Sequence, residues 1–227
     1  VAGDISRAQP EYRGGREKVM AMSMPEADGF QEKAFFEYHL YTLPRPATVA
    51  NKEIKQVSLF DPATTAVEKA YTFRPDRHPT NVEVSLKFVN SKAAGMGMPL
   101  PAGRLRIFKE DSDGSVILLG EDRINHTPRD EEVKVKVGNA FDIVAKETTV
   151  DQVRISQRVE ERDFEIEIRN RKTTDIVVVI EKSLYGDWEI LSSDLKYVKK
   201  DSKTVQFELA VAAGKTATLG YKVRFGR

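Results

Sequence analysis

The run DFEIEIRN, Asp163 to Asn170, decides the fold class. Phe164, Ile166 and Ile168 alternate with Glu165, Glu167 and Arg169, a period of two that puts three apolar groups on one face of a strand and charge on the other. Helical spacing would scatter the same residues around an axis. The pattern recurs where Val82, Val84, Leu86 and Phe88 alternate with Glu83, Ser85 and Lys87, and where Val133, Val135 and Val137 alternate with Lys134 and Lys136. Near the C-terminus Val205, Phe207, Leu209 and Val211 precede Ala217, Leu219, Tyr221, Val223 and Phe225, with Ala213 and Gly214 placed to turn a hairpin. Ile176 to Ile180 departs from the alternation, being β-branched throughout, and predicts a central strand covered on both faces.

Outward from these runs, strand signals continue from Phe35 to the C-terminus with no helical stretch, and the expected class is all-β. Strands are predicted at Lys55 to Phe60, Ala66 to Phe73, Val82 to Asn90, Arg104 to Lys109, Ser115 to Leu119, Glu132 to Val137 and Phe141 to Ala145. A chain of 227 residues exceeds the usual size of one domain, roughly 100–150 residues. The reading is therefore tandem antiparallel β-sandwiches: a first β-domain over 34–148, and over 149–227 a C-terminal sandwich of immunoglobulin-like or fibronectin-like strand spacing. Residues 1–33 have linker composition, with Gly14 and Gly15 before alternating Met20, Met22 and Met24, and are read as an extended arm.

Composition excludes several functions. Hydrophobic content of 40% with 31% charged residues is that of a globular chain. A formal net charge of +1 argues against nucleic acid as partner, because phosphate binding needs a gathered basic surplus. The nearest approach, Lys196, Lys199, Lys200 and Lys203, is interrupted by Asp201. The absence of cysteine removes disulfides, thiolate metal sites and a cysteine nucleophile. No apolar run approaches the ~20 residues of a membrane-spanning helix. The chain begins at Val1 with no signal-peptide pattern, as expected of a processed product or a piece of a longer protein.

Several stretches carry a family resemblance: FFEYHLYTLPRP from Phe35, NVEVSLKFVNS from Asn81, GMGMPLPAGRLRIF from Gly95, LLGEDRINHTPRDEEV from Leu118, VGNAFDIVAKE from Val137 and IRNRKTTDIVVVIEKSLYGDWEI from Ile168. In their order and spacing they resemble the bacterial family known as domain of unknown function 4139, which also forms the C-terminal region of mucoidy-inhibitor-A-like proteins. The resemblance implies an all-β fold and a location in the bacterial periplasm, outer envelope or extracellular space. It implies no chemistry.

Candidate sites are few. His39, His78 and His126, with Asp142 or Glu37, could form a zinc site only by long-range assembly, since no two share a local ligand spacing; no metal and no cofactor is expected. No G-x-S-x-G occurs, so a strained serine nucleophile is not indicated. Abundant Asp and Glu on alternating strands read as solvated faces before they read as glycosidase carboxylates. Asp111-Ser112-Asp113-Gly114 lacks the ligand spacing of an EF-hand loop and reads as a tight hairpin turn. Gly95 to Gly103 is the most irregular segment, and Met96, Met98 and Leu100 there form an apolar loop unless they pack.

The function expected is non-catalytic: a structural or interaction protein meeting protein partners, copies of itself among them, as a homo-oligomer or filament. Its partner-binding candidates are Met20, Met22, Met24, Met96, Met98 and Leu100. The alternative is a carbohydrate-binding module with Tyr38, Tyr41 and Trp188 as an exposed aromatic row. A metal-dependent hydrolase ranks third.

Overall fold

A computed structural model describes residues 31–35, 38–42, 46–58 and 61–226. Met20, Met22, Met24 and Glu37 lie outside the described residues, as does the side chain of Tyr38. The described chain is all-β. Its strands are β1 (Gln31–Phe35), β2 (Tyr38–Thr42), β3 (Glu68–Phe73), β4 (Asn81–Val89), β5 (Gly103–Glu110), β6 (Val116–Ile124), β7 (Glu132–Arg154), β8 (Val159–Asn170), β9 (Ile176–Ser183), β10 (Asp187–Ser193), β11 (Tyr197–Lys199), β12 (Thr204–Val211) and β13 (Thr216–Gly226). β1 pairs with β2, β5 pairs with β6, and nine strands form one sheet in the order β10-β13-β8-β7-β4-β3-β9-β12-β11. Its ladders are antiparallel where β8 meets β13 and β9 meets β12, but β3 runs parallel to β9.

The alternation read from the sequence builds the core. Ile166 and Ile168 of β8, Val178 and Ile180 of β9, Val205 and Phe207 of β12, and Leu219 and Val223 of β13 are buried on one face of the sheet and join a single cluster with Phe73, Val82 and Ile143. Each such side chain contributes roughly 1.5–3 kcal/mol. Phe207 of β12 lies 5.1 Å from Tyr221 of β13 between ring centroids, although five strands separate β12 from β13 in the sheet order. The sheet therefore folds over on itself so that its two ends face each other across the core, a sandwich-like arrangement.

The edges also meet. Trp188 of the edge strand β10 donates from Nε1 to the carbonyl of Ser202, 2.9 Å away in the loop after β11. Lys199 of β11 holds its ammonium 4.2 Å from the centroid of the Trp188 ring. The tryptophan thus fastens one edge of the sheet to the other, a packing role of the kind a disulfide serves in other sandwiches.

Three expectations are corrected here. The turn at Ala213 and Gly214 forms, with Gly214 at φ 68°, but β12 and β13 do not pair with each other. β12 leaves to β9 and β13 to β8, because the two apolar faces stack across the core rather than lying side by side. β9 is covered on one face only: Ile176, Val178 and Ile180 are buried while Val177 is 51% exposed, its outer side being screened by charged neighbours described below. Lys55 to Ser58 is not a strand.

The domain boundary also falls elsewhere. Residue 148 lies inside β7, which joins the Glu132 to Val137 and Phe141 to Ala145 strands into one of 23 residues. Two compact units interleave along the chain: one holds the described residues up to Ala66 with Val89–Gly103 and Ile124–Val133, the other Val67–Phe88, Arg104–Arg123 and Lys134 onward. Strands β8 to β13, expected to be a sandwich of their own, complete their core with β3, β4 and β7.

A fragment from Asp151 to Arg227 lacks β3, β4 and most of β7, and is expected to be unfolded by circular dichroism and by amide proton dispersion. In the whole chain Phe207→Ala is expected to cost about 3–5 kcal/mol in urea unfolding, since its ring is shared between the two ends of the sheet.

Candidate functional site

The core face of the sheet carries charge as well as apolar groups. Along β9 the buried positions Ile176, Val178 and Ile180 are followed in the same register by Lys182, which is only 8% exposed. Along β7, Ile143 and Ala145 are followed by Glu147, and along β13, Leu219 is followed by Tyr221. The alternation that lines the core thus delivers three polar groups into it, flanked by the buried Leu184, Val205 and Val223. Lys182 Nζ bonds Glu147 Oε2 at 2.7 Å and Asp76 Oδ1, from the loop after β3, at 2.8 Å. The phenol of Tyr221 donates to Glu147 Oε1 at 2.8 Å, and Phe164, stacked on Tyr221 with centroids 5.1 Å apart, faces the ammonium at 5.2 Å.

Burial works against the charge on Lys182, but its hydrogen bonds to Asp76 and Glu147 outweigh that and raise its pKa above the ordinary 10.5. Burial pushes the Tyr221 hydroxyl up as well, with the Glu147 carboxylate adding to it. Lys182 is a fixed cation and Tyr221 a fixed donor. Neither is a base or a nucleophile near neutral pH, because both reactive forms are strongly disfavoured.

Behind Lys182 on β9, Glu181 faces the opposite side of the sheet. Arg74 reaches it from the end of β3, Nε to Oε2 at 2.7 Å, and bonds Glu83 of β4 through Nη1 at 3.0 Å. Lys136 of β7 stands 3.4 Å from Glu83, and Lys200 stands 3.6 Å from Glu181. Burial raises the Glu83 carboxyl, yet hydrogen bonding and charge from Arg74, then from Lys136, bring it below the ordinary 4.5. Two residues apart, Arg74 and Asp76 therefore grip adjacent residues of β9 from opposite faces. Asp76 Oδ2 also accepts the backbone N–H of Ser183 at 2.7 Å.

The residues singled out by sequence do not form one site. His39 is half-buried, and His78 and His126 are exposed; His126 Nδ1 accepts the N–H of Ala102 at 3.1 Å. Among the described residues no three of His, Cys, Asp and Glu come together as metal ligands would. Asp142 stands 3.6 Å from Lys172. Met96, Met98 and Leu100 are half-buried, not an open apolar loop. Their segment is stapled by the buried Asn90, whose Nδ2 donates to the carbonyls of Met98 at 2.7 Å and Pro128 at 2.9 Å, while its Oδ1 accepts from Gly97 at 3.2 Å. Gly97 has φ 91°, and a Cβ there would lie 2.5 Å from the backbone N of Lys92. Tyr41 donates to the carbonyl of Pro99 at 2.6 Å, and the Trp188 ring is occupied by Lys199. Asp111 to Gly114 makes the tight turn expected, with Gly114 N bonded to Asp111 O at 3.0 Å.

Sequence reasoning missed Asp76, Asn90, Glu147 and Lys182. It placed the two strands and the turn of the β5 and β6 ribbon, a sheet of two strands, but missed that their apolar side chains stand exposed. There Phe108, Val116, Ile117, Leu118 and Leu119 are exposed by 53%, 66%, 49%, 52% and 46%. Four consecutive apolar residues in a strand leave an apolar group on both faces of it, and that signal was present in the sequence. Among the described residues no helix is long and apolar enough to cross a membrane.

No protein-family model matches the chain, and no characterised protein matches its sequence. Among solved structures, the folded domain of the Mycobacterium tuberculosis protein LppM, determined by NMR, aligns at 14% identity and a TM-score of 0.22, over 76% of this chain and 97% of that one.

Lys182→Ala, which strands two carboxylates, is expected to destabilise by about 3–5 kcal/mol, while the double change Lys182→Met with Glu147→Gln is expected to lose less; urea unfolding of the variants checks both. The sign of the pH dependence follows from the shifts. The Lys182 contribution is present below pH 10.5 and is lost as pH rises through the higher folded pKa. The Glu83 contribution is present above pH 4.5 and is lost as pH falls through the lower folded pKa. Glu83→Gln is therefore expected to flatten the acid limb of stability against pH and leave the alkaline limb unchanged.

Proposed function

We propose that the protein is a non-catalytic interaction protein that works by contact with protein partners, copies of itself among them. The observation that carries this reading is the β5 and β6 ribbon, whose five large apolar side chains stand about half exposed on a two-stranded sheet. A ribbon of two strands is marginal by itself in water, and large apolar side chains left exposed on both faces of it are what contact surfaces present. The charged groups set into the core face support the same reading from the other side. Lys182, Glu147, Asp76 and Tyr221 are committed to one another, in states unsuited to proton transfer. An envelope or extracellular setting rests on the sequence resemblance alone.

Light scattering of the full chain over a concentration series tests the reading. The wild-type protein is expected to self-associate, and Ile117→Lys with Leu119→Lys to weaken association strongly while circular dichroism is unchanged. Superimposable scattering curves for the two proteins would remove the ribbon as a contact surface.

A further inference from the structure

Among the described residues no strand pairs with the outer edge of β5. The ladder that pairs β5 with β6 uses one edge of β5, and among the described residues no backbone hydrogen bond outside that ladder involves 103–110. An edge of this kind accepts a strand. The tip is a closed turn, Asp111 N bonded to Ser115 O at 2.8 Å, so an incoming chain must lie alongside rather than cap the end.

The size of the patch limits the occupant. Five half-exposed side chains, each offering roughly 80–100 Å² and divided between the two faces of the ribbon, give on the order of 400 Å² in all. That is about half of what each partner contributes to a standard globular interface, ~800 Å². Two copies set ribbon face to ribbon face would bury too little to hold. An extended segment does better on the same footprint, because it adds backbone hydrogen bonds to the apolar contact.

The sequence supplies such a segment. Met20, Met22 and Met24 alternate with Ala21 and Ser23, so in extended form three flexible apolar side chains share one face with small residues on the other. The segment lies within the thirty residues that precede β1, and Pro25 immediately after Met24 ends any ladder there. Neither it nor the ribbon is strongly charged at its centre: Val116 to Leu119 and Met20 to Met24 contain no Asp, Glu, Lys or Arg. Every copy carries one donor and one acceptor.

We propose that the ribbon takes, as a third strand along β5, the Met20–Met24 segment of a second copy of the chain. This rests on the contact reading above and names the partner. Donor and acceptor are different surfaces, so the contact is heterologous and propagates from copy to copy unless rotation closes it into a ring.

The absence of cysteine makes the test direct. A full-length Met22→Cys variant is mixed with full-length variants carrying one cysteine each at Ile107, Phe108, Ile117 or Leu118, under mild oxidant. The expected result is a disulfide-linked pair on a non-reducing gel, formed with at least one of Ile107→Cys and Phe108→Cys and absent when either variant is oxidised alone. No mixed pair at any of the four positions overturns the proposal. So does a chain carrying both Met22→Cys and Phe108→Cys that closes only within itself at every concentration.

In parallel, Met22→Lys is expected to weaken self-association roughly tenfold or more, with circular dichroism unchanged. If the ribbon lysine variants abolish association while Met22→Lys and deletion of residues 1–24 leave it intact, the ribbon is a contact surface with another occupant and the segment proposal is overturned. If none of these changes alters association, both readings fail.

Discussion

The parallel pairing of β3 with β9 is the constraint on which the rest of the sheet depends. It joins Tyr71, Thr72 and Phe73 to Val178, Val179 and Ile180, residues more than a hundred positions apart. Closing so long a loop is entropically costly, and parallel pairing offers less per residue than antiparallel. The register is secured beyond the ladder by Arg74 on Glu181 and Asp76 on Lys182, one on each face of β9. A slip of one residue would carry Lys182 to the outer face and Glu181 into the core. The two ion pairs thus specify a register that three backbone partners could not fix alone.

What the sequence made legible was the face of each strand. Phe164, Ile166 and Ile168 are buried and Glu165 is exposed, as the alternation required. Which strand lies beside which was not legible, because an apolar face fits equally well beside a neighbour or opposite one. The Ala213 and Gly214 turn shows this: its residues demand a reversal of the chain, and a hairpin and a crossover both satisfy that demand. The domain boundary failed for the same reason, since β7 continues without interruption through a place where composition suggested a break.

The Lys182 site was partly legible. Extending the β9 alternation by one step past Ile180 places a lysine on the core face, and extending β7 past Ala145 places a glutamate there. A charge at a core-face position requires a partner, so each residue implied the existence of the other. Asp76 could not be found this way, because it comes from a loop whose course depends on the β3 and β9 pairing. Asn90 was invisible for a similar reason: its amide matters only because the chain brings Gly97, Met98 and Pro128 around it. The two strands of the ribbon and their turn were legible, but the exposure of their side chains was not, because an apolar run suits a covered face as readily as an open one.

The placement of β13 has a consequence for how the protein is made. β13, Thr216–Gly226, comes after every other described strand yet lies inside the sheet between β10 and β8 and pairs with β8 along its whole length. Until it arrives, β10 has no ladder and the rings of Phe164 and Phe207 lack the Tyr221 ring between them. Tandem domains would fold one after another as the chain emerged from the ribosome. The nine-stranded sheet closes only once β13 is made, so the apolar faces of β8 and β12 stay open to chaperones until then.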